Sequence, residues 1–413
     1  MTPLLSVVMV TFGAREWVER ALGALRAHTP VPYELIVVDN GSTDGTLDLL
    51  AGVEDAVVVA AGRNLGFGVA NDLGVLHAHG DLLVLLNSDA LVPDDWTRLF
   101  EWFDDPGVGA VVPQYVYPDG RLQEAGAAVH DDGLVAPFGV GDVPAWSFVR
   151  DVQYGSAACL VIRRPAFGAL GGFDPAFAPA YYEDTDLTFR MWATHARVVF
   201  DPRVQVVHAQ GASSESSTHA EERRDANRSR FVDRWRAELA GRPQVHGAPY
   251  PHHRVAARDF HAPDRVVVVT TGELVPKSDV VVAIEALAHA LAHGRVSVLS
   301  HASVHPALDE QWRGLGIEHI ELDPDDVAGW LEDRAGQCCV LVGDDAARAA
   351  HAPAWFASQG HHDHADLAVL AGAARDGSLD GVLLDHGLVP RFALLGLPGE
   401  RRAAYPRPTE ETA

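Results

Sequence analysis

Cysteine is scarce in this sequence. Cys159, Cys338 and Cys339 are the three among 413 residues. No CxxC pair occurs, which excludes a disulfide framework and a cysteine zinc site and points to a reducing, cytoplasmic compartment. Lysine is scarcer, with Lys277 alone, so nearly all positive charge is arginine. Basic residues number 32 against 57 acidic ones, a formal charge of −25. A surface of that sign repels nucleic-acid phosphates and excludes a general nucleic-acid binder. An anionic small ligand would need a metal ion or helix N-termini beside it. No apolar run reaches the roughly 18 residues that span a membrane. The opening MTPLLSVVMVTF has neither a basic n-region nor a cleavage site, so it reads as a first strand rather than a signal peptide.

What is present is ordinary globular material, 47% apolar and 22% charged. The length suggests two or three domains at about 150 residues each. Short apolar runs alternate with helical patterns, the signature of an α/β sheet. LLSVVMVT (4–11), ELIVVD (34–39), AVVVA (56–60), DLLVLLN (81–87) and GSAACLVIRR (155–164) read as strands. A helix is expected with Leu65, Val69, Leu73 and Leu76 as its apolar stripe. Residues 113–150 read as hairpins and a mobile loop, and a short strand pair follows EDTDLTFRMWATH. A helix near 217–240 carries Phe231, Trp235 and Leu239. The Gly-, Pro- and His-rich stretch 241–262 reads as a linker. A second alternation, RVVVVTT, a helix, VSVLS, IEHIEL, CCVLVG and GVLLD (381–385), gives a smaller Rossmann-like domain over 263–400. The tail 401–413 is expected to be disordered.

Four signals sit at the carboxyl ends of strands or strand-like segments in the first domain, 1–240, where open α/β sheets bind ligands. Asp39 leaves a strand into NGSTDGT. It can accept from a nucleobase or ribose, or simply make the turn with Asn40. Asn87-Ser88-Asp89 follows LLVLL and can hold a divalent cation against a diphosphate, or cap the next helix. Glu183 and Asp184 open a helix whose dipole favours negative charge, and either can serve as a general base. Asp186 and Arg190, four apart, are spaced to pair. His208 ends a strand and reads as a metal ligand or a structural imidazole.

The pieces SVVMVTF, ELIVVDNGSTDGT, GRNLGFGVAND, GDLLVLLNSDALVPDDW, GSAACLVIRRPAF, GGFDPAFAPAYYEDTDLTFR and VVHAQGAS together resemble family two of the GT-A fold glycosyltransferases, in particular bacterial rhamnosyltransferase-like members. The resemblance implies a GT-A mixed sheet and roles for single positions. Thr11, Phe12 and Asp39 would line the nucleobase and ribose pocket. Arg63 and Asn64 would lie along the nucleotide. Asn87-Ser88-Asp89 aligns with the DxD motif, with Asp89 on the metal and Asn87, which departs from the motif's first Asp, on the ribose or sugar. Gly155 and Ser156 would run beside the donor sugar. Asp184 would be the catalytic base, with Glu183 in reserve, and His208 the second metal ligand.

The activity so implied is inverting transfer of a sugar from a nucleoside diphosphate sugar to a saccharide or lipid-linked hydroxyl, in cell-surface polysaccharide or glycolipid synthesis. Mg²⁺ or Mn²⁺ would neutralise the leaving diphosphate. Residues 221–242 carry seven Arg and five acids. Their helix either docks on the sheet or touches an anionic membrane surface peripherally. Residues from 263 weakly resemble the N-terminal half of a GT-B enzyme, too short for a complete one, and read as an accessory domain. A sugar-nucleotide pyrophosphorylase is disfavoured by TFGAREWVER, whose single Gly does not make a triphosphate loop. A non-catalytic scaffold is disfavoured by the intact acidic motifs.

Overall fold

The computed structural model describes residues 5–139, 147–210, 217–242, 258, 265–270, 274–291, 296–301, 303–322, 338–343, 363–366 and 373. The chain divides into two compact units, Met1–Ser147 with Asp151–His261, and Phe148–Arg150 with Ala262–Ala413. Most of the expected linker, the 381–385 strand and the tail lie outside the described residues.

The first unit is mixed α/β. The strands up to residue 208 are β1 (Leu5–Thr11), β2 (Tyr33–Asp39), β3 (Ala56–Ala60), β4 (Leu82–Asn87), β5 (Ala90–Leu91), β6 (Val108–Val116), β7 (Leu122–Glu124), β8 (Ala127–Val129), β9 (Val135–Pro137), β10 (Arg150–Asp151), β11 (Cys159–Arg163) and β12 (Arg197–His208). Its helices are α1 (Arg15–His28), α2 (Thr46–Leu50), α3 (Phe67–Val75), α4 (Arg164–Ala169), α5 (Glu183–Ala193), α6 (Ser217–Arg234) and α7 (Arg236–Leu239). All seven residues of β1 are buried. A strand covered on both faces has no solvent side to mark with polar residues, which is why it reads as one apolar run.

Seven strands follow the order β12-β6-β11-β4-β1-β2-β3. The block β3-β2-β1-β4 is parallel. β11 runs antiparallel between β4 and β6, and β12 is parallel to β6. This is the mixed sheet expected of a GT-A unit. Because β1 lies between β2 and β4, the strand order reverses there, and a crevice opens beyond the carboxyl ends. Register sets Thr11 beside Asp39 and Val10 beside Asn87. β5 pairs with the end of β12, setting His208 opposite Ala90.

Two local expectations are corrected. The stripe of α3 is not the leucine series: Leu76 is 80% exposed, whereas Gly68, Ala70, Asn71 and Gly74 are buried. A Cβ at Gly74 would stand 2.5 Å from Val8 Cγ1 and 3.0 Å from Val38 Cγ2. The helix packs by its small residues because the sheet's branched side chains already fill the space. The strand pair after α5 is one strand, β12, with an irregular register between Asp201 and Gln205. Of residues 113–150, the hairpins β6–β7 and β8–β9 form as expected, while 140–146 lie outside the described residues.

Phe231, Trp235 and Leu239 are buried with Phe189, Tyr182 and Tyr154. The Phe189 and Phe231 rings meet edge-on at 4.9 Å. Asp186, fully buried, accepts from Arg190 at 2.7 Å, from Arg234 at 2.8 Å and from the Trp235 indole at 3.0 Å. The apolar residues of the Arg-bearing segment are thus part of the unit's core.

In the second unit, β13 (Arg265–Thr270), β14 (Val296–Ser300), β15 (Ile317–Glu321), β16 (Cys338–Gly343) and β17 (Asp363–Asp366) form a parallel sheet ordered β15-β14-β13-β16-β17. Helices α8 (Asp279–Ala290) and α9 (Pro306–Gly314) pack Ile284, Leu287 and Trp312 with Val266 and Val268. Ser300 Oγ lies 2.8 Å from His319 Nε2, with Asp309 3.8 Å from the other ring nitrogen. Ser300 is 1% exposed, so the trio ties strands and a helix rather than presenting a nucleophile. Among the described residues no helix is long and apolar enough to cross a membrane.

Candidate active site

Beyond the strand ends of the first unit lies a cleft of about 740 Å³. Phe12, Asn64, Asn87, Ser88, Asp89, Glu183, Asp184 and His208 line it.

One corner belongs to Asp89 and His208. The Ala209 N–H donates to the Asp89 carbonyl at 3.1 Å, fastening the turn after β4 to the end of β12. That pairing brings Asp89 Oδ1 to 3.3 Å from His208 Nε2. Asn87 Nδ2 lies 3.3 Å from the same nitrogen. Among the described residues no group of three or more His, Cys, Asp or Glu could hold an ion. Two side-chain ligands would therefore leave the remaining positions to diphosphate oxygens and water, an arrangement that suits Mg²⁺.

A second corner is the start of α5. Tyr182, at φ 69°, turns the chain so that Glu183 and Asp184 open the helix. Glu183 is 8% exposed, and its Oε2 has no hydrogen-bond partner among the described residues. Burial, then the neighbouring Asp184, pushes its carboxyl well above the carboxylate range. Burial also raises Asp184, but donors oppose it. Thr185 N–H donates to Oδ1 at 2.7 Å, and Tyr154 Oη and Ala157 N–H donate to Oδ2 at 3.3 and 3.4 Å. Of the two acids, Asp184 is the one equipped to carry charge. Burial holds the Tyr154 phenol well above its ordinary value, so it stays a donor.

The third wall is a pair of turns. Asn40 donates to Asn64 Oδ1 at 3.0 Å and accepts from Leu65 N–H at 2.8 Å, while Gly66 N–H donates to Asn64 Oδ1 at 2.8 Å. A Cβ at Gly66, where φ is +88°, would fall 2.5 Å from Pro179 Cα. Phe67 N–H donates to the Pro179 carbonyl at 2.7 Å. These contacts join the GRNLGFG stretch to the segment that leads into α5.

The other sequence-predicted residues stand back from this lining. Thr11 is buried and donates to the Gly13 carbonyl at 2.9 Å. Asp39, 2% exposed, accepts from Gly41 and Ser42 N–H at 3.3 Å, the geometry of a turn-former. Arg63 is exposed. Gly155 packs where a Cβ would meet Val112 Cγ1 at 2.8 Å, and the Ser156 carbonyl accepts from Tyr115 Oη at 3.0 Å.

Sequence reasoning missed several lining residues, among them Asn40, Tyr154, Glu124 and the α6 pair Arg223 and Arg224. Glu124 lies on the three-residue β7, inside a stretch too irregular for a periodic signal. Its carboxyl is pushed up to about 8, chiefly by burial and then by Asp184. Arg224 stacks over Tyr181, 4.7 Å from the ring centroid.

Residues 6–135 match the family model described as Glycosyl transferase family 2. An O-antigen biosynthesis protein, RfbC of Myxococcus xanthus, is 28% identical over 306 residues, 67% of this chain and 23% of that protein. An N-acetylglucosaminyl-diphospho-decaprenol L-rhamnosyltransferase of Mycobacterium tuberculosis is 28% identical over 284 residues, 58% of this chain and 89% of the relative. The chain spans about a quarter of the length of the first two curated relatives it matches. Among solved structures, a Pyrobaculum calidifontis mannosyltransferase in complex with GDP-Man and Mn²⁺ is 21% identical, with a TM-score of 0.43, over 62% of this chain and 68% of that one. The family resemblance read from the motifs is borne out by the family model and the curated relatives.

Proposed function

We propose that this family 2 glycosyltransferase moves a sugar from a nucleoside diphosphate sugar to a hydroxyl of a saccharide or lipid-linked acceptor in surface-polysaccharide or cell-wall synthesis, with inversion. The observation that carries this reading is the convergence of the Asp89–His208 pair and Asp184 on one cleft.

Asp184 takes the proton from the acceptor hydroxyl. Its carboxylate is aimed by the Tyr154 phenol and the Ala157 and Thr185 N–H groups, so the lone pair that receives the proton is fixed in place. Such positioned proton removal contributes about 10²–10⁴-fold. The acceptor oxygen then forms a bond to the anomeric carbon as the bond to the diphosphate oxygen breaks on the opposite side. Burial holds the Glu183 carboxyl well above the carboxylate range, which disfavours a second negative charge beside the incoming donor. Asp89 and His208 would hold Mg²⁺ or Mn²⁺, which when bound supplies the positive charge that a chain of −25 otherwise lacks against a diphosphate. Asn64 and Phe12 offer an amide and an aromatic face on the nucleotide side of the cleft.

A panel of nucleotide sugars, scored for thermal stabilisation with and without Mn²⁺, tests this. The matching donor at 100 times its dissociation constant should add about 2.7 kcal/mol only when the ion is present. Stabilisation of equal size without a divalent ion, or by no nucleotide sugar at all, would overturn it.

A further inference from the structure

The His208 ring is held by a side chain that the proposed mechanism does not use. Gln123, on β7, sits across from it with two contacts to the same residue. Gln123 Nε2 donates to the His208 backbone carbonyl at 3.0 Å, and Gln123 Oε1 lies 2.8 Å from His208 Nδ1. The first contact settles the second. A carbonyl only accepts, so the amide nitrogen must face it, and the amide oxygen must then face the ring. An amide oxygen also only accepts, so Nδ1 carries the hydrogen.

With Nδ1 protonated, the neutral ring presents a lone pair at Nε2. That atom points at the Asn87 amide nitrogen and at Asp89 Oδ1, each 3.3 Å away. A carboxylate oxygen and an imidazole lone pair thus converge with no proton of their own to share. The Tyr115 ring, 5.9 Å between centroids and tilted by 58°, covers another side of the imidazole. Tyr115 pairs with Glu124 in the β6–β7 ladder, so the ring's wall and its clamp come from one hairpin.

We infer that Gln123 is a positioning residue, fixing His208 as the Nδ1–H tautomer so that Nε2 faces the cation seat at Asp89. The inference rests on the metal reading above. Groups bonded to the far nitrogen of a metal-binding imidazole typically change metal affinity by about 10–100-fold when removed. Gln123→Met removes both contacts, whereas Gln123→Glu keeps an acceptor against Nδ1.

The tautomer can be read without any metal. In the full-length, metal-free chain at pH 8, long-range ¹H–¹⁵N correlation spectra with ¹⁵N-labelled histidine, assigned against His208→Ala, should show a protonated Nδ1 in the wild type and in Gln123→Glu. Gln123→Met should shift His208 toward the Nε2–H form. Calorimetry of Mn²⁺ binding with a nucleoside diphosphate should show affinity weakened about 10–100-fold in Gln123→Met and largely kept in Gln123→Glu. An Nε2–H tautomer in the wild type overturns the inference, and so does an unchanged tautomer in Gln123→Met. If Asp89→Ala abolishes Mn²⁺ binding while Gln123→Met leaves it intact, the clamp alone fails. If Asp89→Ala leaves Mn²⁺ binding untouched, the metal reading fails with it.

Discussion

Replacing Asp184 with asparagine removes one charge and almost no volume. Oδ1 can keep the 2.7 Å bond from Thr185 N–H, and the amide nitrogen then replaces Oδ2 opposite Tyr154 and Ala157. The phenol can turn to accept, so the 3.4 Å contact from Ala157 N–H is the one lost interaction. Against that loss, burial no longer opposes a charge at this position. The fold should therefore hold to within about 1 kcal/mol. The reaction should not. Without a proton acceptor, kcat should fall by about 10²–10⁴, equivalent to roughly 2.7–5.4 kcal/mol of barrier, while donor binding stays unchanged. Glu183→Gln gives the contrast. Glu183 Oε2 lacks the donors that aim the Asp184 carboxylate, so its amide should leave turnover within about tenfold. The assay is release of nucleoside diphosphate with acceptor present, beside nucleotide-induced thermal shift. Near wild-type turnover in Asp184→Asn refutes the reasoning, and loss in Glu183→Gln alone moves the base to Glu183.

Asp186→Ala strips the buried partner of Arg190, Arg234 and Trp235, and urea unfolding should show a loss of about 3–5 kcal/mol. A loss below 1 kcal/mol would deny that this carboxylate holds α6 against α5. Gly74→Ala places a methyl 2.5 Å from Val8 and should destabilise by about 1–3 kcal/mol, whereas Gly23→Ala, in α1 with open space around it, should stabilise by about 0.5–1 kcal/mol. Glu124 titrates near 8 in the fold against an ordinary 4.5, so the native state keeps a proton that the unfolded chain gives up. Its contribution to stability should fall as pH climbs between those two values and level off above them. Glu124→Gln should flatten that slope in denaturation series, and an unchanged slope would place the titration elsewhere.

The sheet was legible because β1, β2 and β4 are buried on both faces and so announce themselves as unbroken apolar runs. The acids at Asp89, Glu183 and Asp184 were legible for a related reason, since each follows directly from a strand end or opens a helix. The face of α3 was not. Its closest contacts use Gly74, whose role depends on Val8 and Val38 some distance away in sequence, and of the leucines that stood out Leu73 only packs at the core's edge while Leu76 faces solvent. Gln123 and Glu124 were invisible for another reason: a three-residue strand has no period, and their meaning lies in His208 and Asp184 across the cleft. The turn at Asp39 shows the converse. A residue prominent in the motif spends its carboxylate on the N–H groups of its own loop.

The packing of Gly66 against Pro179 bears on any attempt to re-target this chain to another sugar. No side chain fits at 66 unless 179 retreats, and 179 leads directly into the helix that carries Asp184. Reshaping the cavity from that side would disturb the chemistry along with the selectivity. The walls open to redesign lie elsewhere on the perimeter, at Leu134 and Val135, where a library can vary size without touching the proton acceptor.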